Sequence, residues 1–207
     1  MIGSRNGWMK VGVVMMTSEI GSEGKTSRRQ NKLARLRQLV AENPDSAEAH
    51  MKLGTALIRT SSISEAESSL KRAIELKPDY AEAMVNLGGI MLSRFDFTGC
   101  VEMNKKAVEC DPDFFLAHYN KGLGHMYLGQ SEDMLDCFRK ASALDPEHPG
   151  CQYHLAVALF AVGQVDEARV WLNRALAAGY AAEPEFLRAI ERHRGGQVAT
   201  VEIEPKH

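Results

Sequence analysis

The amino-acid sequence predicts an all-α fold, a solenoid of stacked antiparallel helix pairs, and two observations support that prediction. The first is a set of prolines that follow one another at intervals of 34 residues: Pro44, Pro78, Pro112 and Pro146. The second is that each proline stands in a similar acidic phrase, for example ENPDSAEAH and LKPDYAEAM. Self-similarity at a fixed period indicates a repeat architecture, in which each unit buries its apolar face only against its neighbours.

Four repeat units result when each is counted from three residues past its proline: 47–80, 81–114, 115–148 and 149–182. Within a unit, large apolar residues alternate with small ones, as in Leu53-Gly54, Leu70 and Ala73 of the first unit. Small residues let two helix backbones approach closely, while large ones fill the space between them. Each proline ends the second helix of its unit, because it lacks an N–H group and disfavours helix in the residue before it.

This pattern resembles the tetratricopeptide repeat, and the resemblance extends from about residue 30 to residue 182. The 34-residue length and the order of small and large residues agree with that family independently of each other. The resemblance implies a right-handed superhelical α-solenoid whose first helices, one from each unit, line a concave groove. It also implies that the groove binds other proteins.

The resemblance further implies which residues face the groove. The candidate peptide-binding residues are Lys52, Asn86, Tyr119, Asn120, Tyr127, Tyr153, His154 and Phe160. An asparagine side chain both donates and accepts hydrogen bonds, so Asn86 and Asn120 suit the main chain of an extended peptide. Buried aromatic residues contribute much of an interface's energy, which favours the third and fourth units as the anchor. Two alternatives stay open: the aromatic residues pack between repeats, or the helix at 184–194 folds back over them.

The turn between the two helices of a unit falls at its fifteenth position. Gly129 and Gly163 stand there in the third and fourth units and are predicted to supply the turn. Ser61 and Phe95 stand there in the first two units. Because neither is glycine, the sequence predicts that those two turns are built differently.

Three polar residues occupy positions where the family has large apolar ones: Asn104 in the second unit, and Lys121 and His125 in the third. In one interpretation the neighbours repack and the polar ends of these side chains reach water. In the other, the junction between the second and third units is softened and can hinge.

The ends of the chain depart from the repeat. Residues 27–46 are predicted to form an N-terminal capping helix, a half repeat whose basic outer face is solvated or, as the rarer alternative, touches acidic lipid or nucleic acid. Residues 183–194 are predicted to form a C-terminal capping helix. Residues 1–26 and 195–207 lack periodicity and are predicted to be disordered. Alternative methionines leave open whether residues 1–15 belong to the protein.

Composition limits the partners and the compartment. The chain has a formal net charge of −2, which divides into +4 for residues 1–46 and −6 for the remainder. An acidic body argues against a nucleic-acid surface. No apolar stretch reaches the length of a membrane span, and Val11 to Met16 is too short for the core of a signal peptide. The four cysteines include no CxxC pair, which favours free thiols and a cytoplasmic protein.

Catalytic motifs are absent from the sequence, and the protein is predicted not to be an enzyme and to need no cofactor. His148, Cys151 and His154 are spaced like metal ligands, and Cys137 is a conceivable fourth member. Positions 3 and 6 of a repeat, where Cys151 and His154 stand, already have structural roles in the family. The favoured interpretation is therefore that no metal site exists.

Three functions fit the pattern. The first is an adaptor that binds a peptide or helix of a partner protein in its groove. The second is a scaffold that assembles with copies of itself, and the third is a regulatory or chaperone-like subunit of a larger complex. The residues with which relatives grip the C-terminal carboxylate of a chaperone are not conspicuous here, since Met51 and Leu116 stand at two of the positions.

Overall fold

The structure of the chain, a computed structural model, describes residues 23–193. In that range the chain forms helices and no strand. The helices are α1 Glu23–Glu42, α2 Ala47–Ile58, α3 Ile63–Leu76, α4 Ala81–Ser93, α5 Phe97–Cys110, α6 Phe115–Leu128, α7 Ser131–Leu144, α8 Pro149–Ala161, α9 Val165–Ala177 and α10 Pro184–Arg192. The first helix of each predicted unit begins at the residue from which the periodicity counts that unit.

Consecutive helices pack as hairpins, α2 with α3, α4 with α5, α6 with α7 and α8 with α9, and each hairpin stacks on the next. Small residues make this close packing possible. A Cβ atom placed on Gly122 would lie 2.8 Å from the ring of Phe138, and one placed on Gly54 would lie 2.7 Å from Leu70. The predicted all-α solenoid of antiparallel helix pairs is confirmed.

The four turns inside the repeats share one backbone geometry. Ser61 and Phe95 have φ of 59° and 64°, and Gly129 and Gly163 have φ of 73° and 83°. In every case the next residue donates its N–H to a carbonyl five residues back, as from Asp96 to Met91 at 2.9 Å. Together with a second bond, donated by the left-handed residue itself, this bond closes each of these helices as a Schellman motif. The prediction that the first two turns are built differently is wrong, because these bonds hold even a residue with a Cβ in the left-handed region.

Phe95→Gly is expected to raise the free energy of unfolding by about 0.5–1 kcal/mol. The left-handed conformation costs a residue with a Cβ about 1–2 kcal/mol, and the greater freedom of glycine in the unfolded chain offsets part of the gain. Phe95 is 61% exposed, so little packing is lost. Urea unfolding measures the change. The matched control is Gly129→Ala, whose Cβ would meet nothing within 4 Å and whose expected loss of about 1 kcal/mol is purely conformational. A less stable Phe95→Gly variant would contradict the assignment of strain.

Asn104 shows that the polar residues at apolar repeat positions do not all reach water. Its side chain is fully buried and lies against Gly88, where a Cβ would overlap the amide. The amide Nδ2 donates to the carbonyl of Cys100 at 2.8 Å, while Oδ1 is buried with no partner in the described structure. His125 is also buried, and its Nδ1 lies 2.6 Å from Oε1 of Gln130. The interpretation that these side chains extend to water is wrong for both, and the hinge stays a prediction.

The capping helices cover the two ends of the stack. Leu33, Leu36 and Val40 of α1 pack against the core of the first repeat, and Phe186 and Ile190 of α10 are buried against the fourth. Helix α1 begins at Glu23, so the prediction of disorder fails for residues 23–26. The rest of that prediction, for residues 1–22 and 195–207, lies outside the described residues.

Candidate peptide-binding groove

The first helices of the repeats form one concave wall. Residues of the first three repeats line a cavity of about 350 Å³, here called the central cavity, and His154 of the fourth repeat completes it. Seven of its sixteen lining residues are aliphatic, and these are Ile58, Ile63, Val85, Ile90, Leu92, Leu116 and Leu123. The central cavity therefore offers apolar surface along several turns of neighbouring helices.

A second cavity of about 480 Å³ lies between α1 and α2 and is here called the basic cavity. It combines apolar residues with cationic ones, and the cationic members are Arg29, Lys32, Lys52 and Arg59. Thr55 and Arg59 line both cavities, so the two form one continuous groove along α2. Arg29 and Lys32 belong to the basic face of the capping helix, which was predicted to be an outer, solvated face. Both are exposed in the structure, and both line this cavity.

Both asparagines, Asn86 and Asn120, line the central cavity. Asn86 donates from Nδ2 to Oγ1 of Thr55 at 3.1 Å, and Thr55 in turn donates to the carbonyl of Met51 at 3.0 Å. The Asn120 side chain makes no hydrogen bond within residues 23–193, and its Nδ2 stands beside Gly89. The Asn120 amide therefore keeps its full hydrogen-bonding capacity for a ligand.

Tyr119 and His154 are buried at the junction of the third and fourth repeats. His154 is 3% exposed, and its Nδ1 lies 2.8 Å from the Gly150 carbonyl and 3.0 Å from the Tyr119 hydroxyl. A carbonyl only accepts, so the bond to Gly150 requires the proton on Nδ1. Burial lowers the pKa of His154 to about 4, although the bond to Gly150 opposes the shift. This imidazole is neutral and joins the two repeats.

Tyr153 and Phe160 lie beneath the C-terminal capping helix instead of in an open groove. Tyr153 is 1% exposed and stacks on Tyr180 with ring centroids 4.7 Å apart, while Phe186 packs edge-on at 5.6 Å. Phe160 packs edge-on against Phe186 at 5.6 Å and against His193 at 5.1 Å. Of the arrangements that the sequence leaves open, the structure has the one in which the helix at 184–194 folds back over these residues, because α10 supplies the apolar surface that covers them.

Tyr127 and Lys52 differ from the other predicted residues. Tyr127 is half-buried and stacks on Phe97 with centroids 4.6 Å apart and rings 12° from parallel, so it does not line the central cavity. Lys52 lines the basic cavity and pairs with Glu48 one turn before it on α2. Of the eight predicted residues, the structure brings Asn86, Tyr119, Asn120 and His154 together in the central cavity, and Lys52 stands in the adjoining one.

The spaced histidines and cysteine have structural partners. Nδ1 of His148 accepts the N–H of Cys151 at 3.0 Å and so caps the start of α8. The Cys151 thiol lies 3.8 Å from the carbonyl of Phe138. Burial raises the pKa of Cys151 to about 12 and that of Cys137 to about 11, which keeps both thiols protonated. Over the described range, 23–193, no three side chains of the ligand types are grouped to hold a metal ion.

Helical hairpins of this period, with a groove on their first helices, define a class of α-solenoid repeat proteins. Family models of the tetratricopeptide repeat match residues 33–81, 116–148 and 135–192. The chain is a tetratricopeptide repeat protein. Among the helices between residues 23 and 193, none combines the length and apolar character that crossing a bilayer requires.

Solved structures of MamA share the fold. A MamA RS-1 ArsTM double mutant has a TM-score of 0.67 at 19% identity, covering 75% of this chain and 87% of that one. A crystal structure of MamA has a TM-score of 0.66 at 20% identity, covering 84% and 98%. MamA 41-end from Desulfovibrio magneticus RS-1 has a TM-score of 0.62 at 18% identity, covering 82% and 89%. No curated protein matches the sequence.

Proposed function

We propose that the chain is a non-catalytic scaffold that holds an extended segment of a partner polypeptide in the groove of its first three repeats. The observation that supports this most is the Asn120 amide, which stands in an aliphatic wall with no partner in the described part of the chain. An extended peptide offers N–H and C=O groups to such an amide and side chains to the aliphatic wall.

The surrounding chemistry agrees with a binding role. The buried thiols are held in their protonated form, since burial raises the pKa of Cys100 to about 12 as it does for Cys151. A protonated thiol is a weak nucleophile. The neutral His154 is committed to Gly150 and Tyr119. The polar groups of the groove therefore suit recognition better than proton transfer.

Gly89→Leu is expected to abolish partner capture without loss of stability. Gly89 lines the central cavity, and a Cβ there meets only Nδ2 of Asn120 at 3.9 Å, so a larger side chain extends into the cavity. Replacing a helical glycine also removes a helix-propensity penalty of about 1 kcal/mol. The measurement is affinity capture with the full chain, which scores proteins bound by the wild type and lost with the variant.

Gly89→Ala is the matched control, because it adds the same helix propensity and leaves the cavity open. Asn120→Ala is expected to weaken capture of the same partners about tenfold, which corresponds to the ~1.4 kcal/mol of a hydrogen bond. Equal capture by the wild type and Gly89→Leu would refute the groove as the binding surface.

A second copy of this chain is the alternative occupant. Leu116 lines the central cavity and is 45% exposed, so it offers an apolar surface to a second copy. Light scattering during gel filtration decides between the two occupants. An oligomer that Gly89→Leu converts to a monomer assigns the groove to self-assembly, and a wild-type monomer assigns it to another protein.

A further inference from the structure

We propose that the segment held in the groove is acidic at one end: its carboxylates lie over the basic cavity and its adjoining aliphatic side chains enter the central cavity. This inference rests on the proposed function and adds the chemistry of the partner. It follows from the distribution of charge along the groove.

Carboxylates are missing from the groove wall although they dominate the body of the chain. Among residues 23–193, no Asp or Glu lines either cavity, whereas residues 47–207 hold 23 acidic residues against 17 Lys and Arg. The basic cavity therefore creates a local positive potential on an acidic protein. A site of that potential favours anionic groups.

Three of the four cations of the basic cavity are also free of acidic partners in the described part of the chain. Several arginines on the outer surface of the stack are paired instead: Arg37 with Glu65 at 2.8 Å, Arg72 with Asp45 at 3.0 Å, and Arg94 with Glu67 at 2.5 Å. In the groove, Lys52 pairs with Glu48, but Arg29, Lys32 and Arg59 pair with no carboxylate in the described part of the chain. Their guanidinium and ammonium donors are available to a ligand.

The apolar part of the groove determines the second feature of the proposed ligand, its aliphatic side chains. Leu33, Leu36 and Met51 line the basic cavity between its cations, and aliphatic residues continue into the central cavity. Bases of single-stranded nucleic acid stack on exposed aromatic rings. The aromatic residue of the central cavity, Tyr119, is only 9% exposed. The wall therefore suits aliphatic side chains, and with them a peptide in preference to a nucleic acid.

The length of the groove determines the length of the peptide probe. The first helices of three successive repeats span about 20 Å at ~10 Å per packed helix. An extended peptide covers that distance with about six residues at ~3.3 Å each. The probes are fluorescein-labelled peptides of three glutamates joined to three leucines, made in both orders because the chain direction is unassigned. The matching probes carry lysine in place of glutamate.

Fluorescence anisotropy with the full chain tests the inference. At least one glutamate peptide is expected to bind ten times more tightly than its lysine counterpart and to lose affinity as salt rises, since the attraction is screened. Lys32→Gln/Arg59→Gln is expected to weaken it at least tenfold. Lys105→Gln/Lys106→Gln is the matched control, because it removes two exposed charges from α5, outside both cavities. Thermal unfolding verifies that both double variants remain folded.

The outcomes separate this inference from the proposed function. If the glutamate peptides bind no better than the lysine peptides, or if a labelled thymidine decamer binds more tightly than either, the acidic peptide is the wrong ligand. If Gly89→Leu removes partner capture while Lys32→Gln/Arg59→Gln preserves it, the groove function stands and the acidic preference falls. If Gly89→Leu leaves capture intact, the groove function itself falls.

Discussion

Tyr153→Ala is expected to lower the free energy of unfolding by about 3–5 kcal/mol, the range for removing a large buried aromatic side chain. The ring lies between repeat four and the C-terminal cap, where it stacks on Tyr180 and meets Phe186 edge-on. Its loss leaves a cavity and removes the surface on which α10 rests. Urea denaturation followed by circular dichroism measures the change.

Tyr153→Phe is the control, because it keeps the ring and its stacking and removes only the hydroxyl. We expect it to stay within about 1 kcal/mol of the wild type. Asn120→Ala, in the open part of the groove, is expected to change stability far less than Tyr153→Ala. A Tyr153→Ala protein as stable as the wild type would mean that α10 does not hold this position in solution.

Acidification is expected to remove about 3 kcal/mol of stability through His154 alone. The pKa of His154 in the folded protein is lowered to about 4, against 6.5 for the free side chain. The unfolded chain therefore binds the proton first, so this contribution is intact above pH 6.5 and is lost as the pH falls from 6.5 to 4. Each unit of difference corresponds to about 1.4 kcal/mol.

The measurement is the free energy of unfolding at pH 7 and at pH 4.5 for the wild type and His154→Gln. Glutamine does not titrate, so we expect the variant to lose about 2–3 kcal/mol less than the wild type over that interval. Carboxylates paired with cations, such as Glu48 and Glu65, whose pKa values are lowered by those partners, also titrate on acidification. They do so in both proteins and cancel in the comparison. Equal losses would exclude His154 as the source.

The fold was predictable from sequence because every repeat unit requires the same kind of residue at the same position. Proline ends a helix and a small residue faces a large one, and both effects are local enough to read without coordinates. The turns were predicted less well. Glycine is a reliable sign of a left-handed residue, but Ser61 and Phe95 show that two backbone hydrogen bonds can hold other residues there.

The groove was only partly predictable because its extent depends on contacts between distant segments. The family resemblance implied that Asn86 and Asn120 face the groove, since both stand at one repeat position, and both line the central cavity. It could not place Tyr153, whose exposure is decided by α10, more than thirty residues further along the chain. The spacing of Phe186, Leu187 and Ile190 in the sequence was the available signal for that cover. The basic cavity was missed because Arg29 and Lys32 belong to the capping helix and not to the repeat.

The cover that α10 places over the fourth repeat also closes one end of the groove. The aromatic residues that would continue the groove are already occupied by Phe186 and Tyr180. A segment held in the groove as proposed would therefore meet a closed end at the Tyr119–His154 junction and would terminate or bend outward there. The closed end would therefore limit the length of the bound segment. The feature to seek in any partner is a chain terminus or a tight turn just beyond that segment's aliphatic residues.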